Sequence, residues 1–172
     1  LVGTEGGMVN FGRPWTTRPL AIKLHCRYTT SNIDIIGKKM PPGVTLTKAD
    51  HDRAQIKVAL GTWDYRTYGG SKDSPVHINT TDASTFVDFS KDPCTIANGD
   101  LIIHKDGYIL NGASLVDAST WEWAEYTIPL NYRDLETLPT HIIVSCAASQ
   151  YGDYFTGCSS SKLWIDAVEL IY

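Results

Sequence analysis

Two stretches of the chain combine aromatic rings with charged and polar side chains, which is the composition of a sugar-binding loop. Residues 63–73 have the sequence WDYRTYGGSKD, and residues 149–157 have the sequence SQYGDYFTG. A sugar ring packs its C–H face on Trp or Tyr, and its hydroxyls bond to Asp, Asn, Arg or Gln. The candidate ligand contacts are Trp63, Tyr65, Tyr68, Tyr151, Asp153 and Tyr154, with Trp15 and Arg13 in a proline-punctuated turn as a third candidate.

Glycoside hydrolysis is the alternative chemistry, because it needs two carboxyl groups about 5–10 Å apart, one of them with a raised pKa. Candidate acids are Asp64, Asp73, Glu122, Glu125, Asp134, Glu136 and Asp153. Their spacing selects no pair, and Glu122 and Glu125 point to opposite faces of a predicted strand. The sequence therefore favours a module without catalytic residues. Hydrolysis is the minor alternative, and a structural or adhesive module without a small ligand is the other.

Metal binding is a secondary hypothesis. Glu5 near the start and Asp166 in the last predicted strand are the candidate ligands of a structural Ca²⁺ ion, which takes six to eight oxygens. The sequence does not supply that full set, so the favoured interpretation is that Asp166 caps backbone amides at a β-bulge. No other cofactor is predicted.

The four cysteines form no CxxC motif for zinc or redox chemistry. Cys26 and Cys146 fall on the apolar faces of predicted strands, where a free cysteine behaves as a small hydrophobe. We expect all four to be reduced. The alternative is a Cys146–Cys158 disulfide that closes the 149–157 loop, which requires Cα atoms within about 7 Å of each other.

The elements that must position these loops are short strands. Apolar and polar residues alternate in residues 20–28, 54–60 and 142–146, which is the period of a half-buried strand. Further strands are predicted at residues 76–78, 85–89, 97–105, 108–116, 121–130 and 163–172. In the last strand, the apolar residues change from odd to even positions after Ile165. A bulge near Asp166 would place the apolar residues of both halves on the same face. Trp121, Trp123 and Trp164 lie in these strands and are expected to pack in the core.

Composition restricts the class of protein. The chain has 172 residues and a net charge of −4. Its fractions of hydrophobic residues, 42%, and of charged residues, 20%, are close to those of an average globular domain. No basic cluster exceeds Lys38-Lys39, which argues against nucleic-acid binding, and no apolar run is long enough to cross a bilayer. Many short strands separated by Gly, Pro and Asn predict one all-β sandwich domain over residues 1–172. The start at Leu1 predicts a piece of a longer protein.

The C-terminal third resembles the putative carbohydrate metabolism domain. The resemblance rests on a tryptophan (Trp121 or Trp123), the Ile128-Pro129-Leu130 strand with Tyr132, a Pro139-Thr140-His141-Ile142 strand, Ser149 with residues 151–157, and the closing Leu163, Trp164, Ile165, Asp166 and Tyr172. Upstream, Arg18-Pro19 before Tyr28, and Asp52 and Ala54 before Trp63, match more loosely. Cys158 and Ser159 depart from the family's glycine-rich turn, and residues 75–103 do not align.

The resemblance implies a jelly-roll or galactose-binding-like antiparallel β-sandwich that is akin to carbohydrate-binding modules. It implies a secreted or lipid-anchored protein at the surface of gut bacteria that use polysaccharides. In such a protein this chain would be the C-terminal domain and an Ig-like domain would precede it. An oligo- or polysaccharide is then the expected partner. On this hypothesis, Trp63→Ala or Tyr154→Ala would weaken glycan binding without lowering the melting temperature.

Overall fold

The computed structural model describes residues 6–172, which form β-strands, one short α-helix and two turns of 3₁₀ helix. The strands are β1 (Met8–Phe11), β2 (Arg13–Pro14), β3 (Ala21–Thr29), β4 (Ala54–Gly61), β5 (Val76–Asn79), β6 (Thr95–His104), β7 (Gly107–Leu110), β8 (Val116–Asp117), β9 (Ala124–Pro129), β10 (Asn131–Tyr132), β11 (His141–Ala147) and β12 (Lys162–Ile171). Helix α1 is Tyr65–Tyr68. The 3₁₀ turns are Ala83–Thr85 and Gly152–Tyr154.

The strands pair into three sheets. One is the β1–β5 ribbon, one has the order β2–β11–β4–β6–β7–β8 with β10 also on β6, and one has the order β12–β3–β9. The pairs whose register is described are antiparallel. The predicted antiparallel β-sandwich is therefore confirmed.

The chain folds into two compact units. Within the described residues, unit 1 comprises residues 6–18, Val58–Asn98 and Leu130–Val144, and unit 2 comprises Pro19–Lys57, Gly99–Pro129 and Ser145–Tyr172. Strands β4, β6 and β11 contribute residues to both units. A single domain over residues 1–172 stays a prediction.

Strand β3 shows why unit 2 forms a sheet with one buried face. Ile22, Leu24, Cys26 and Tyr28 are at most 1% exposed, and the residues between them are partly exposed. In register with this buried row, Ile22 lies opposite Ile128 and Leu24 opposite Tyr126 on β9. Alternation in one strand and its match in the neighbouring strand therefore place the core of this unit.

Three strand predictions differ from the structure. Residues 108–116 were predicted as one strand, but β7 ends at Leu110 and β8 begins only at Val116. Residues 85–89 were predicted as a strand, but Thr85 ends the 3₁₀ turn Ala83–Thr85 and residues 86–89 form no strand. Turns lie on both sides, because the Asp82 carboxylate accepts hydrogen bonds from Ser84 and the Asp88 carboxylate from Ser90. Residues 121–123 precede β9 instead of belonging to it. Such side-chain hydrogen bonds to the local backbone compete with strand pairing.

The predicted bulge in β12 is confirmed. The register with β3 shifts between Asp166 and Glu169, and Ala167 between them has a φ of 51°. The Asp166 carboxylate accepts a hydrogen bond of 2.8 Å from the Ala167 amide, as the capping interpretation predicted. Glu5, the other metal candidate, lies outside the described residues. Within residues 6–172, no group of three or more His, Cys, Asp or Glu side chains is arranged to hold a metal ion.

All four cysteines have free thiols. Cys26 is fully buried in the core of unit 2, where burial raises the pKa of its thiol to about 12. Among residues 6–172, no helix is long and apolar enough to span a membrane.

The expectation that the strand tryptophans pack in the core is wrong. Trp121 is 40% exposed, Trp123 is 50% exposed and Trp164 is 38% exposed. Trp121 and Trp123 precede β9, so they are not drawn into its buried row. Trp164 lies in β12 directly opposite Arg27, which belongs to the solvent-facing row of β3.

Candidate functional site

Asp92 organises the largest described group of aromatic side chains in unit 1. Its carboxylate accepts hydrogen bonds from Trp63 Nε1 at 2.9 Å, from the Tyr68 hydroxyl at 2.6 Å and from Thr95 Oγ1 at 2.9 Å. Burial and the Asp92 carboxylate both raise the pKa of Tyr68, so this hydroxyl stays protonated and donates. Hydrogen bonds to the same carboxylate thus fix the positions of the Trp63 and Tyr68 rings.

These rings belong to a small apolar core of their own. Trp63 is only 2% exposed and packs edge-on against Phe89, with ring centroids 5.7 Å apart. The members of this core are Ala59, Trp63, Val76 and Ile143, with Phe11, Tyr68, Ile78, Val87, Phe89 and Cys94 packed against them. Tyr68 therefore stands between this core and the surface.

An open cleft of about 600 Å³ lies over Tyr68 in unit 1. It is lined by Thr67, Tyr68, Gly69, His77, Ser84, Thr85, Phe86, Val87, Asp88, Lys91 and Asp92. The lining combines two aromatic rings with several hydroxyls, an imidazole, an amine and carboxylates. Such a mixture suits a ligand with apolar faces and many hydroxyl groups.

Short polar turns make the rim of this cleft rigid. The Asp82 carboxylate binds the amide and hydroxyl of Ser84, and the Asp88 carboxylate binds those of Ser90 at 3.0 and 2.6 Å. The Ser90 hydroxyl, with Lys91 nearby, holds the pKa of Asp88 below its usual value. Asp88 also pairs with Lys91 at 2.9 Å, so the rim carries an ionised carboxylate beside an amine.

The sequence analysis missed the cleft residues between 77 and 92 because it assigned residues 76–78 and 85–89 to strands and found no family pattern there. A local signal was present in the repeated Asp-x-Ser spacing of Asp82-Ser84 and Asp88-Ser90. This spacing is typical of turns in which a carboxylate bonds the backbone two residues later. It predicts ordered loops, and loops of that kind often carry binding groups.

The predicted contacts in unit 1 fall in different environments. Tyr68 lines the cleft, and Tyr65 on the same helix is 37% exposed with Arg66 over its ring. The prediction that Trp63 contacts a ligand is wrong, because a residue that is 2% exposed cannot stack on a sugar. Trp15 is half-buried and Arg13 exposed, and neither lines the cleft.

The other predicted loop, residues 149–157, belongs to unit 2 and is fastened by the buried side chain of Asp52. One oxygen of this carboxylate, Oδ2, accepts from Ser149 Oγ at 2.5 Å, from the Cys158 amide at 2.8 Å and from Ser161 Oγ at 2.8 Å. The second oxygen accepts from the Arg53 amide at 2.8 Å. A Cβ at Gly157 would approach Ser149 Oγ to 2.4 Å, so glycine is needed there. Tyr151, Asp153 and Tyr154 thus stand on an anchored loop.

Asp153 is the chemically distinctive side chain of this loop. Its Oδ1 atom is buried and has no hydrogen-bond partner within residues 6–172. Burial raises the pKa of Asp153, against the opposing charge of Lys57. Asp100 on β6 has the same environment, since burial raises its pKa while Gln55, at 2.9 Å, and Lys57 oppose that effect. Asp100 and Asp153 are thus two half-buried carboxyl groups of unit 2 whose pKa values are raised by burial and lowered by the charge of Lys57.

Comparisons with known proteins agree with this fold. The family model of the putative carbohydrate metabolism domain matches residues 2–171. The chain is similar to the crystal structure of a putative glycoside hydrolase from Bacteroides thetaiotaomicron VPI-5482, at 18% identity and a TM-score of 0.59 over 95% of this chain and 41% of that one. It is also similar to a putative glycoside hydrolase from Bacteroides vulgatus ATCC 8482, at 16% identity and a TM-score of 0.56 over 95% and 56% of the two chains. No curated protein matches the sequence. The chain thus spans about half of the length of these two solved chains.

Proposed function

We propose that this chain, which belongs to the putative carbohydrate metabolism domain family, is a non-catalytic module that captures glycans at a bacterial surface. The sugar-binding site is the cleft of unit 1. A sugar ring would lie against Tyr68 and Phe86, with its hydroxyls turned to the polar rim.

The observation that carries this proposal is the support of Tyr68 by Asp92. A binding surface gains affinity when its rings are already held in the bound position, because less freedom is lost on association. The 2.6 Å bond from the Tyr68 hydroxyl to Asp92 provides that order.

Filling the cleft should abolish glycan binding while the fold stays intact. Thr67 is exposed on helix α1 and lines the cleft, so Thr67→Trp would place an indole over Tyr68. A glycan array would first identify a ligand, with a Kd expected in the micromolar to millimolar range. We then expect Thr67→Trp to raise that Kd at least tenfold in titration calorimetry, about 1.4 kcal/mol.

Arg66→Trp is the matched control for this experiment. Arg66 is exposed on the same helix, but it lies over Tyr65 and does not line the cleft. Its replacement should leave both the Kd and the melting temperature unchanged. Equal Kd values for wild type and Thr67→Trp would contradict the assignment of the cleft.

Glycoside hydrolysis is a second candidate function, favoured by the two half-buried carboxyl groups of unit 2. Hydrolysis needs a carboxyl group that is protonated near neutral pH beside a second carboxyl group. Burial raises the pKa of both Asp100 and Asp153, and Lys57 lies close enough to affect each. One would donate a proton to the glycosidic oxygen, and the other would act as base or nucleophile.

A reducing-end release assay tests this second candidate. If unit 2 is hydrolytic, Asp153→Asn and Asp100→Asn should each reduce release from a responsive polysaccharide by at least a hundredfold, within the range of lost general acid–base catalysis. Asp73→Asn, which changes an exposed acid of unit 1, should have no effect. Equal release by all variants would exclude this acid pair.

A further inference from the structure

Two loops of unit 2 meet and expose three large apolar side chains. One loop is residues 30–53, between β3 and β4, and the other is the 149–157 loop. Ile35 is 52% exposed, Ile36 is 43% exposed and Phe155 is 42% exposed. These three side chains are called the Ile–Phe patch below. A group of exposed apolar side chains on a folded chain marks a candidate contact surface.

Backbone hydrogen bonds hold the two loops against each other. The Ile35 amide donates to the Gly157 carbonyl at 3.1 Å, and the Gly157 amide donates to the Ile35 carbonyl at 3.0 Å. The Gly37 amide donates to Thr156 Oγ1 at 2.9 Å, and a Cβ at Gly37 would lie 3.3 Å from Phe155 Cβ. The loops are therefore joined by groups other than the exposed apolar side chains, which lie next to the junction and stay open to solvent.

Phe155 has a backbone conformation that costs free energy. Its φ is 56°, in the left-handed region that a bulky side chain disfavours and glycine adopts freely. Its amide donates to the Gly152 carbonyl at 3.0 Å and so closes the 3₁₀ turn before it. Glycine could close the same turn without strain. An exposed phenylalanine in such a conformation points to a role for the ring other than forming the turn.

Cationic side chains flank the Ile–Phe patch. Lys38 and Lys39 are exposed and come two and three residues after Ile36. Within residues 6–172, neither of them forms an ion pair. Such a combination suits a lipid surface, because amines attract anionic headgroups while apolar side chains enter the boundary between headgroups and acyl chains.

The exposed acids of the 30–53 loop have other cations near them. Local hydrogen bonds, and then the charge of Lys48, lower the pKa of Asp34. Local hydrogen bonds, and then the charge of Arg53, lower the pKa of Asp50. The two lysines beside the patch therefore have no described acid partner, and their charge is complementary to that of an anionic bilayer.

We propose that the Ile–Phe patch docks unit 2 on a lipid bilayer that contains anionic phospholipid. Its three apolar side chains enter the headgroup boundary, and Lys38 and Lys39 bind phosphate groups there. So small an apolar surface gives weak, reversible binding. The patch belongs to unit 2, and its role does not depend on the sugar-binding function proposed for the cleft of unit 1.

Co-sedimentation of the 172-residue chain with vesicles tests this proposal. One set of vesicles is phosphatidylcholine alone, and the other contains about 30% phosphatidylglycerol, an anionic lipid. Wild type should bind the anionic vesicles at least tenfold more tightly, at roughly fivefold for each lysine, and less tightly as salt rises. The double variant Lys38→Gln, Lys39→Gln should lose the preference for anionic vesicles.

Phe155→Gly separates docking from folding. It keeps the turn, relieves the strained conformation and removes the ring, so the melting temperature should fall little or rise. Binding to anionic vesicles should nevertheless weaken about fivefold or more. Ile36→Ser should weaken it similarly. Leu135→Ser, at a leucine of unit 1 that is 73% exposed, is the control and should bind as wild type does.

Several results would overturn the proposal. They are absence of vesicle binding, equal binding of wild type to both kinds of vesicle, or undiminished binding by both Phe155→Gly and Ile36→Ser. Concentration-dependent dimers that Phe155→Gly abolishes, without vesicle binding, would instead make the patch a contact between two copies. Glycan binding lost in Phe155→Gly, without vesicle binding, would make it a sugar surface. Thr67→Trp should bind vesicles normally even if the cleft of unit 1 binds nothing.

Discussion

Asp52→Ala is expected to lower the free energy of unfolding by about 3 kcal/mol, since several buried hydrogen-bond donors lose their acceptor at once. The Asp52 side chain is 3% exposed and accepts four hydrogen bonds, from Arg53, Ser149, Cys158 and Ser161. For a chain of this length, the loss corresponds to a fall in melting temperature of about 6–12 °C. Urea denaturation and differential scanning calorimetry would measure both quantities.

Two further variants distinguish the loss of the Asp52 hydrogen bonds from the loss of one negative charge. Asp50→Ala removes an exposed carboxylate that bonds only Thr47 in its own turn, so it should change stability far less. Asp52→Asn keeps the shape of the side chain but turns one oxygen into a donor, and we expect an intermediate loss. If Asp52→Ala were as stable as Asp50→Ala, the anchoring role of Asp52 would be refuted.

This network explains residues that the sequence could only match to a family pattern. Asp52, Ser149 and Gly157 belong to that pattern, and they meet at one carboxylate in unit 2. Arg18 has a comparable place in unit 1, where its guanidinium donates to the carbonyls of Leu135 and Thr137 and lies 5.8 Å from the centre of the Tyr132 ring. These family positions therefore hold loops in place.

Strand alternation predicted β3 well, because that strand has one buried and one partly exposed side. It predicted the faces of two other strands poorly: β4 is buried on both sides except at Lys57, and in β11 Val144 and Cys146 of the predicted apolar face are exposed. β3 and β4 were predicted on that basis, and so was the bulge at Asp166, where the alternation breaks. The strand prediction for residues 85–89 failed because this segment lies between two turns with Asp-x-Ser hydrogen bonds, Asp82 with Ser84 and Asp88 with Ser90. A periodic signal cannot report such a bond.

The candidate site could be predicted only in part, because its decisive contacts join residues that are distant in sequence. Tyr68 was named from composition, but Asp92, which orders it, is 24 residues away. The burial of two tryptophans was also predicted wrongly, once in each direction. Trp63 was expected to meet ligand and is buried, and Trp164 was expected to be buried and is exposed. A ring suits a core and a sugar equally well, so its type does not decide its environment.

Trp63→Ala should lower the free energy of unfolding by about 3–5 kcal/mol, the usual cost of deleting a large buried aromatic side chain. The Trp63 ring fills the core around Ala59, Val76 and Ile143, and its N–H bonds the Asp92 carboxylate at 2.9 Å. Loss of the ring would also free Asp92 to move away from Tyr68. Glycan binding in the cleft should therefore weaken together with stability, which calorimetry and chemical denaturation of one sample would show.

Two further substitutions identify which interactions of Trp63 account for the lost stability. Trp63→Phe keeps most of the ring and removes the N–H donor, so it should cost about 1–2 kcal/mol, the share of the hydrogen bond to Asp92. Trp164→Ala removes an indole that is 38% exposed and should change stability least of the three. If Trp63→Ala weakened glycan binding at an unchanged melting temperature, its ring would be a ligand contact and not part of the core.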